Sequence, residues 1–167
     1  MNLVLLVRIV VGSSIMSELV TIGGVPLHPL IVHIVVVLVP LTALGAIVMA
    51  VVPKFSRRFG PLVALGALVS IGSAVLAKEA GEQLARVKPV AADHLHWGSQ
   101  VPLWVGLFGL AVIGFWFVDR GIPSNRARPL WLRIAAIGVV ALSVVATLYV
   151  LAAGHSGAEA VWASLIR

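Results

Sequence analysis

The sequence contains no cysteine and little charge. Without cysteine, this chain offers no disulfides, no thiolate metal ligands, no iron–sulfur ligation and no covalent haem attachment through CxxCH. Only 11% of the residues are charged, whereas 60% are hydrophobic and the mean hydropathy is +1.11. Such a composition is far outside that of soluble domains and indicates an integral membrane protein.

Four long apolar runs predict four membrane-spanning helices, at about 29–52, 61–84, 95–118 and 130–153. The expected fold class is all-α, an integral membrane four-helix bundle that occupies residues 23–167. Residues 1–22 are expected to form an interfacial or loosely packed segment, because Arg8 and Glu18 would be costly in hydrocarbon. A spanning helix over residues 3–22 stays open as the alternative.

Small residues and glycines add two local expectations. Gly66, Ser70 and Ala74 recur every four residues, which predicts close packing of the second helix against a neighbour. Gly154 and Gly157 are expected to end the fourth helix near Ala153.

The basic residues are concentrated in two connections. The segments 53–60 and 119–133 hold seven of the twelve lysines and arginines, but only Asp119 among the six acidic residues. Cytoplasmic loops carry such an excess, so both segments are expected to be cytoplasmic. The formal charge of +6 is therefore attributed to membrane topology and not to nucleic-acid binding.

With this topology, all five histidines fall at the outer end of the bundle: His28, His33, His94, His96 and His155. His33 lies one turn inside the first span, where an ionisable group suggests a functional site. His94 and His96 would point about 200° apart on a helix, so at least one is expected outside the core. Each histidine could instead simply satisfy a nearby backbone carbonyl.

Imidazoles that converge among apolar helices favour axial ligation of haem b. The first expected ligand pair is His33 with His94, on diagonal helices, with His155 as the main substitute and His28 at the rim. His96 is a further candidate. The same histidines could bind copper or zinc with help from outer carboxylates, namely Glu79, Glu82, Asp93 and Glu159. Cations at the same rim could pair with haem propionates, namely Lys78, Arg86 and Lys88.

Three motifs carry a resemblance to a known family: LHPLIVH, HLHWG and GHSGAEAVW. Over about residues 24–163 the chain resembles a family of small bacterial four-helix membrane proteins that is catalogued as a domain of unknown function. Its HPxxVH, HxxxG and GHxG pattern matches His28, His33, His94 and His155, whereas His96 is additional. Some relatives resemble fusions to Rieske-type iron–sulfur domains, which implies electron transfer.

These observations together predict a haem b electron-transfer protein of the bacterial cytoplasmic membrane, acting at the periplasmic face. Membrane lipid, a quinol and an iron–sulfur or other redox protein are the expected partners, and a homo-oligomer or a larger complex is the expected assembly. A quinol-linked redox enzyme is one form of this function. The alternatives are a structural or assembly subunit of a larger membrane complex and a copper or zinc protein. No serine or threonine has the recognisable spacing of a hydrolase nucleophile.

Overall fold

The computed structural model describes residues 21–22, 25–87, 89–123 and 125–162. A short antiparallel pairing of β1 (Thr21–Ile22) with β2 (Val25–Pro26) precedes four helices. The helices are α1 (Leu27–Val51), α2 (Pro53–Val87), α3 (Ala92–Asp119) and α4 (Leu130–Trp162). All four are long and apolar enough to cross a membrane, which confirms the predicted all-α membrane bundle. The predicted N-terminal segment falls, except for Thr21 and Ile22, outside the described residues.

The four helices form a closed ring. Each helix packs against its neighbours in sequence, and α1 also packs against α4. The diagonal pairs are therefore α1 with α3 and α2 with α4, the arrangement of a simple up-and-down bundle. The starts of α1 and α3 and the ends of α2 and α4 share one end of the bundle, which we call the histidine end.

The core is lined mainly by alanine, serine and valine, with a few larger side chains such as Phe108, Met49 and Leu132. Ser70 and Ala74 are buried, and a Cβ added at Gly66 would lie 2.8 Å from Thr42 Oγ1 on α1. The small-residue face of α2 thus packs against its neighbour as predicted. Large leucine, isoleucine and valine side chains instead cover the outside of the bundle, where a bilayer would solvate them.

Two helix boundaries differ from the sequence-based expectation. Helix α2 begins at Pro53 and not at Pro61, which lies eight residues further on inside the helix. Pro53 occupies the first turn, where proline is well tolerated. Helix α4 continues past Gly154 and Gly157 to Trp162. Gly157 does not end α4. Its missing side chain lets α4 lie close to α3, because a Cβ at Gly157 would be 3.0 Å from the His94 ring.

The end opposite the histidines is closed by a buried ion pair. Arg128 donates from Nε and Nη2 to the two carboxylate oxygens of Asp119, each at 2.7 Å. Its Nη2 also donates to the Met49 carbonyl at 2.9 Å, and Nη1 donates to the Ala50 carbonyl. These carbonyls belong to the last turn of α1, so Arg128 ties the start of α4 to the ends of α1 and α3. The sequence had indicated these two residues only as loop charges.

Candidate functional site: a histidine pair on diagonal helices

His28 is fixed at the beginning of α1 by a contact with α2. Its half-buried ring donates from Nδ1 to the Ala77 carbonyl at 2.9 Å. A backbone carbonyl only accepts hydrogen bonds, so this contact assigns the proton to Nδ1 and leaves the lone pair on Nε2. A Cβ added at Gly81 would lie 2.9 Å from His28 Cε1, so the missing side chain is what lets the ring lie against α2.

His94 is held in the same way at the beginning of α3. Its half-buried ring donates from Nδ1 to the Ala153 carbonyl on α4 at 3.0 Å, with Ser156 Oγ at 3.5 Å. The serine hydroxyl itself donates to the Ala153 carbonyl at 3.1 Å. A Cβ at Gly157 would lie 3.0 Å from His94 Cε1. His94 therefore also carries its proton on Nδ1 and keeps Nε2 as a donor atom for a metal.

The two rings meet although their helices are diagonal. Their centroids are 5.9 Å apart and their planes are inclined by 78°. Two imidazoles on opposite sides of one metal ion have centroids about 6 Å apart, since each metal–nitrogen bond is about 2 Å long. Neither Nε2 has a hydrogen-bond partner in the described part of the chain. An Nδ1–H donated to a carbonyl is the usual support of a metal-binding histidine.

The other three histidines lie apart from this pair. His33 is exposed, and its Nδ1 bonds to the Pro29 carbonyl of its own helix at 2.5 Å. His33 does lie one turn inside the helix, but five residues turn a helix by about 140°, so its ring points away from the side of His28 and outward. His96 is exposed against Trp97, with ring centroids 5.3 Å apart. His155 has 76% of its side chain exposed and lies 3.3 Å from Glu159.

The candidate rim charges are solvated and dispersed. Lys78 forms an exposed ion pair with Glu82 at 3.4 Å, and Arg86 is exposed. Lys88 lies outside the described residues. Within the described ranges, no group of three or more histidine, aspartate and glutamate side chains could hold a metal ion. Two imidazoles are thus the protein donors that the histidine end brings together.

Sequence reasoning missed the groups that hold these imidazoles. They are the carbonyls of Ala77 and Ala153 and the side-chain-free positions Gly81 and Gly157. A signal was present in the sequence, because α2 and α4 share an Ala-x-x-x-Gly pattern, AKEAG at 77–81 and AGHSG at 153–157. Glycine one helical turn after alanine leaves the surface over the alanine carbonyl open, and this carbonyl can accept a second hydrogen bond beside its helical one.

The fold and the histidine pair define a four-span membrane protein with an imidazole pair at one end of its bundle. Residues 24–167 match the family described as "Predicted membrane protein (DUF2231)", and the chain belongs to this family. The match includes nearly all of the described residues and confirms the resemblance drawn from the histidine motifs. No curated protein and no solved structure matches the chain.

Proposed function

We propose that the chain binds haem b at the histidine end and carries electrons there, with His28 and His94 as the two axial ligands. The observation that carries the proposal is the pair of half-buried imidazoles from diagonal helices, 5.9 Å apart, each with Nδ1 bonded to a carbonyl. His28 thus takes the place that His33 held in the expected ligand pair. His33, His96 and His155 have no ligand role in this proposal.

The donor set fits haem better than it fits zinc. Structural zinc sites take four protein ligands and catalytic zinc sites take three, whereas haem needs protein atoms only at its axial positions. The described residues bring together two such atoms and no cluster of three. Gly81 and Gly157 let the two rings lie directly against α2 and α4, and the surrounding helices are apolar.

Haem b would supply one-electron chemistry at this site. His28 and His94 would hold and orient the group through their Nε2 atoms, and haem held by two histidines would serve electron transfer. The carbonyls of Ala77 and Ala153 hold the Nδ1 protons in place. This hydrogen bond makes each imidazole a stronger donor and stabilises the oxidised state of a bound metal.

The basic residues set the proposed orientation. Lys54, Arg57 and Arg58 lie on the first turns of α2, at the end of the bundle opposite the histidines. By the positive-inside rule this end is cytoplasmic, and the haem then faces the periplasm of a bacterial cytoplasmic membrane. A quinol and an iron–sulfur or other redox protein remain the proposed electron partners. Lys78 and Arg86 are the described cations at that face that could pair with propionates.

Visible spectroscopy with matched variants tests the ligand assignment. The protein, purified in detergent from haem-replete cells, should show reduced-minus-oxidised α and β bands and bound haem iron. His28→Ala and His94→Ala should each remove the low-spin spectrum, whereas His33→Ala, with its exposed ring, should keep it. A colourless, iron-free wild-type protein would refute haem binding. Stoichiometric copper or zinc in that protein would indicate a metal-ion site instead. Loss of the bands in His33→Ala alone would refute this ligand pair.

A further inference from the structure

We infer that the chain consists of two equivalent helical hairpins, α1–α2 and α3–α4, and that Gly81 and Gly157 are matched positioning residues, one for each imidazole. The cofactor part of this inference rests on the proposed function. The equivalence of the hairpins rests only on the described helices and on the contacts of their histidines.

The two half-sites correspond residue by residue. In each hairpin, a histidine near the start of the first helix donates to an alanine carbonyl in the second helix, and a glycine four residues later faces the same ring. From α1 to α3 the shift is 66 residues, since 94 minus 28 is 66. From α2 to α4 it is 76 residues, since both 153 minus 77 and 157 minus 81 give 76.

The same shifts superimpose the buried positions of the bundle. Six buried residues of α1 fall on six buried residues of α3: Val35 on Val101, Val39 on Val105, Thr42 on Phe108, Ala43 on Gly109, Ala46 on Val112 and Met49 on Phe115. All seven buried residues of α4 have buried counterparts in α2: Ser56 for Leu132, Val63 for Val139, Ala67 for Ser143, Ser70 for Ala146, Ala74 for Val150, Ala77 for Ala153 and Ala80 for Ser156. Helical periodicity explains a shared phase within one pair of helices, but not agreement with the histidine contacts in both pairs.

The ring order of the helices places a two-fold axis along the bundle. A half turn about this axis exchanges α1 with α3 and α2 with α4, which are the diagonal pairs. His28 and His94 are then related by the axis, which passes between their two rings. Parallel repeats with an axis along the membrane normal are a known architecture of membrane proteins.

The two glycines set where each imidazole can lie. A methyl group at Gly81 would sit 2.9 Å from His28 Cε1 and 3.0 Å from its Nδ1, and one at Gly157 would sit 3.0 and 3.1 Å from the same atoms of His94. These distances are shorter than ordinary van der Waals contacts, so an alanine methyl group must push the ring away by a few tenths of an ångström. This shift lengthens the hydrogen bond to the carbonyl and changes how the imidazole faces its partner.

Nuclear magnetic resonance of the metal-free protein, labelled with ¹⁵N-histidine in detergent, tests the positioning without a cofactor. Gly81→Ala should shift the ring signals of His28 more than those of His94, which lies against it, and Gly157→Ala should do the reverse. The matched controls are Gly72→Ala on α2 and Gly138→Ala on α4, where an added Cβ meets no atom within 4 Å.

Haem titration of the same variants tests the equivalence of the half-sites. Gly81→Ala and Gly157→Ala should each weaken binding by about 10-fold or more, as losses in the support of a metal ligand do, and by similar factors. The inference would be overturned if the control variants weakened haem binding as much as the Gly81 and Gly157 variants do. It would also be overturned if the haem affinities of these two variants differed by more than tenfold. If wild type binds no haem but each glycine variant shifts its own histidine more than the other, the proposed function fails while the positioning role is supported. If wild type binds haem and the variants behave like their controls, the positioning role fails while the proposed function stands.

Discussion

Replacing Arg128 by alanine is expected to destabilise the bundle strongly. The Arg128 and Asp119 side chains are 8% and 3% exposed, and two hydrogen bonds of 2.7 Å join them. Removing one partner of a buried ion pair leaves an uncompensated charge and costs about 3–5 kcal/mol. The carbonyls of Met49 and Ala50 lose their donor in the same variant. We therefore expect the free energy of unfolding to fall by an amount at the upper end of that range.

The assay is thermal or denaturant unfolding in detergent, followed by far-ultraviolet circular dichroism without cofactor. Arg126→Ala is the matched control, because Arg126 lies in the same connection and is exposed, so both variants lose one positive charge between α3 and α4. Replacing Arg128 and Asp119 together by apolar residues should recover much of the lost stability, since no unpaired charge remains. If Arg128→Ala unfolds within about 0.5 kcal/mol of Arg126→Ala, the range of ordinary surface substitutions, the buried ion pair does not stabilise the bundle as argued.

Three further predictions concern the topology, the packing and the ligand set. A cysteine introduced at the exposed Asn125 should react with impermeant maleimide only from the cytoplasmic side, and one at the exposed Ala91 only from outside. The reverse pattern of labelling would invert the proposed orientation. Gly66→Ala should cost about 1–3 kcal/mol in the same unfolding assay, because its Cβ would lie 2.8 Å from the threonine hydroxyl on α1, whereas Gly72→Ala should not destabilise α2. His155→Ala should leave the haem spectrum unchanged, because this ring is 76% exposed, and a lost spectrum would return His155 to the ligand set.

The spans were predictable because membrane insertion is decided by hydrophobic length, which can be read from the sequence. Which histidine of α1 faces the inside of the bundle was harder to predict, because depth along a helix and direction around it are different quantities. His33 lies deeper in α1 than His28, but it points outward and bonds to its own helix. Which face of α1 is inside depends on all its neighbours, and α1 is apolar on every side. The amphipathic contrast that marks the buried face of a soluble helix is therefore missing.

The hairpin equivalence was hidden for a related reason, which concerns how membrane cores pack. Superimposed positions carry different side chains, such as Thr42 with Phe108 and Ser70 with Ala146, although each of these residues is buried. Close packing constrains the volume that facing residues fill together and not the identity of each one, so the two halves can diverge while the register is kept. Identity is retained where a specific contact needs it, as in the histidine, the alanine and the glycine of each half-site. Most other identities at these shifts join aliphatic residues, such as Val35 with Val101 and Val63 with Val139, which recur by chance in any apolar helix. The contacts of the two imidazoles, and not residue types alone, therefore reveal the whole register.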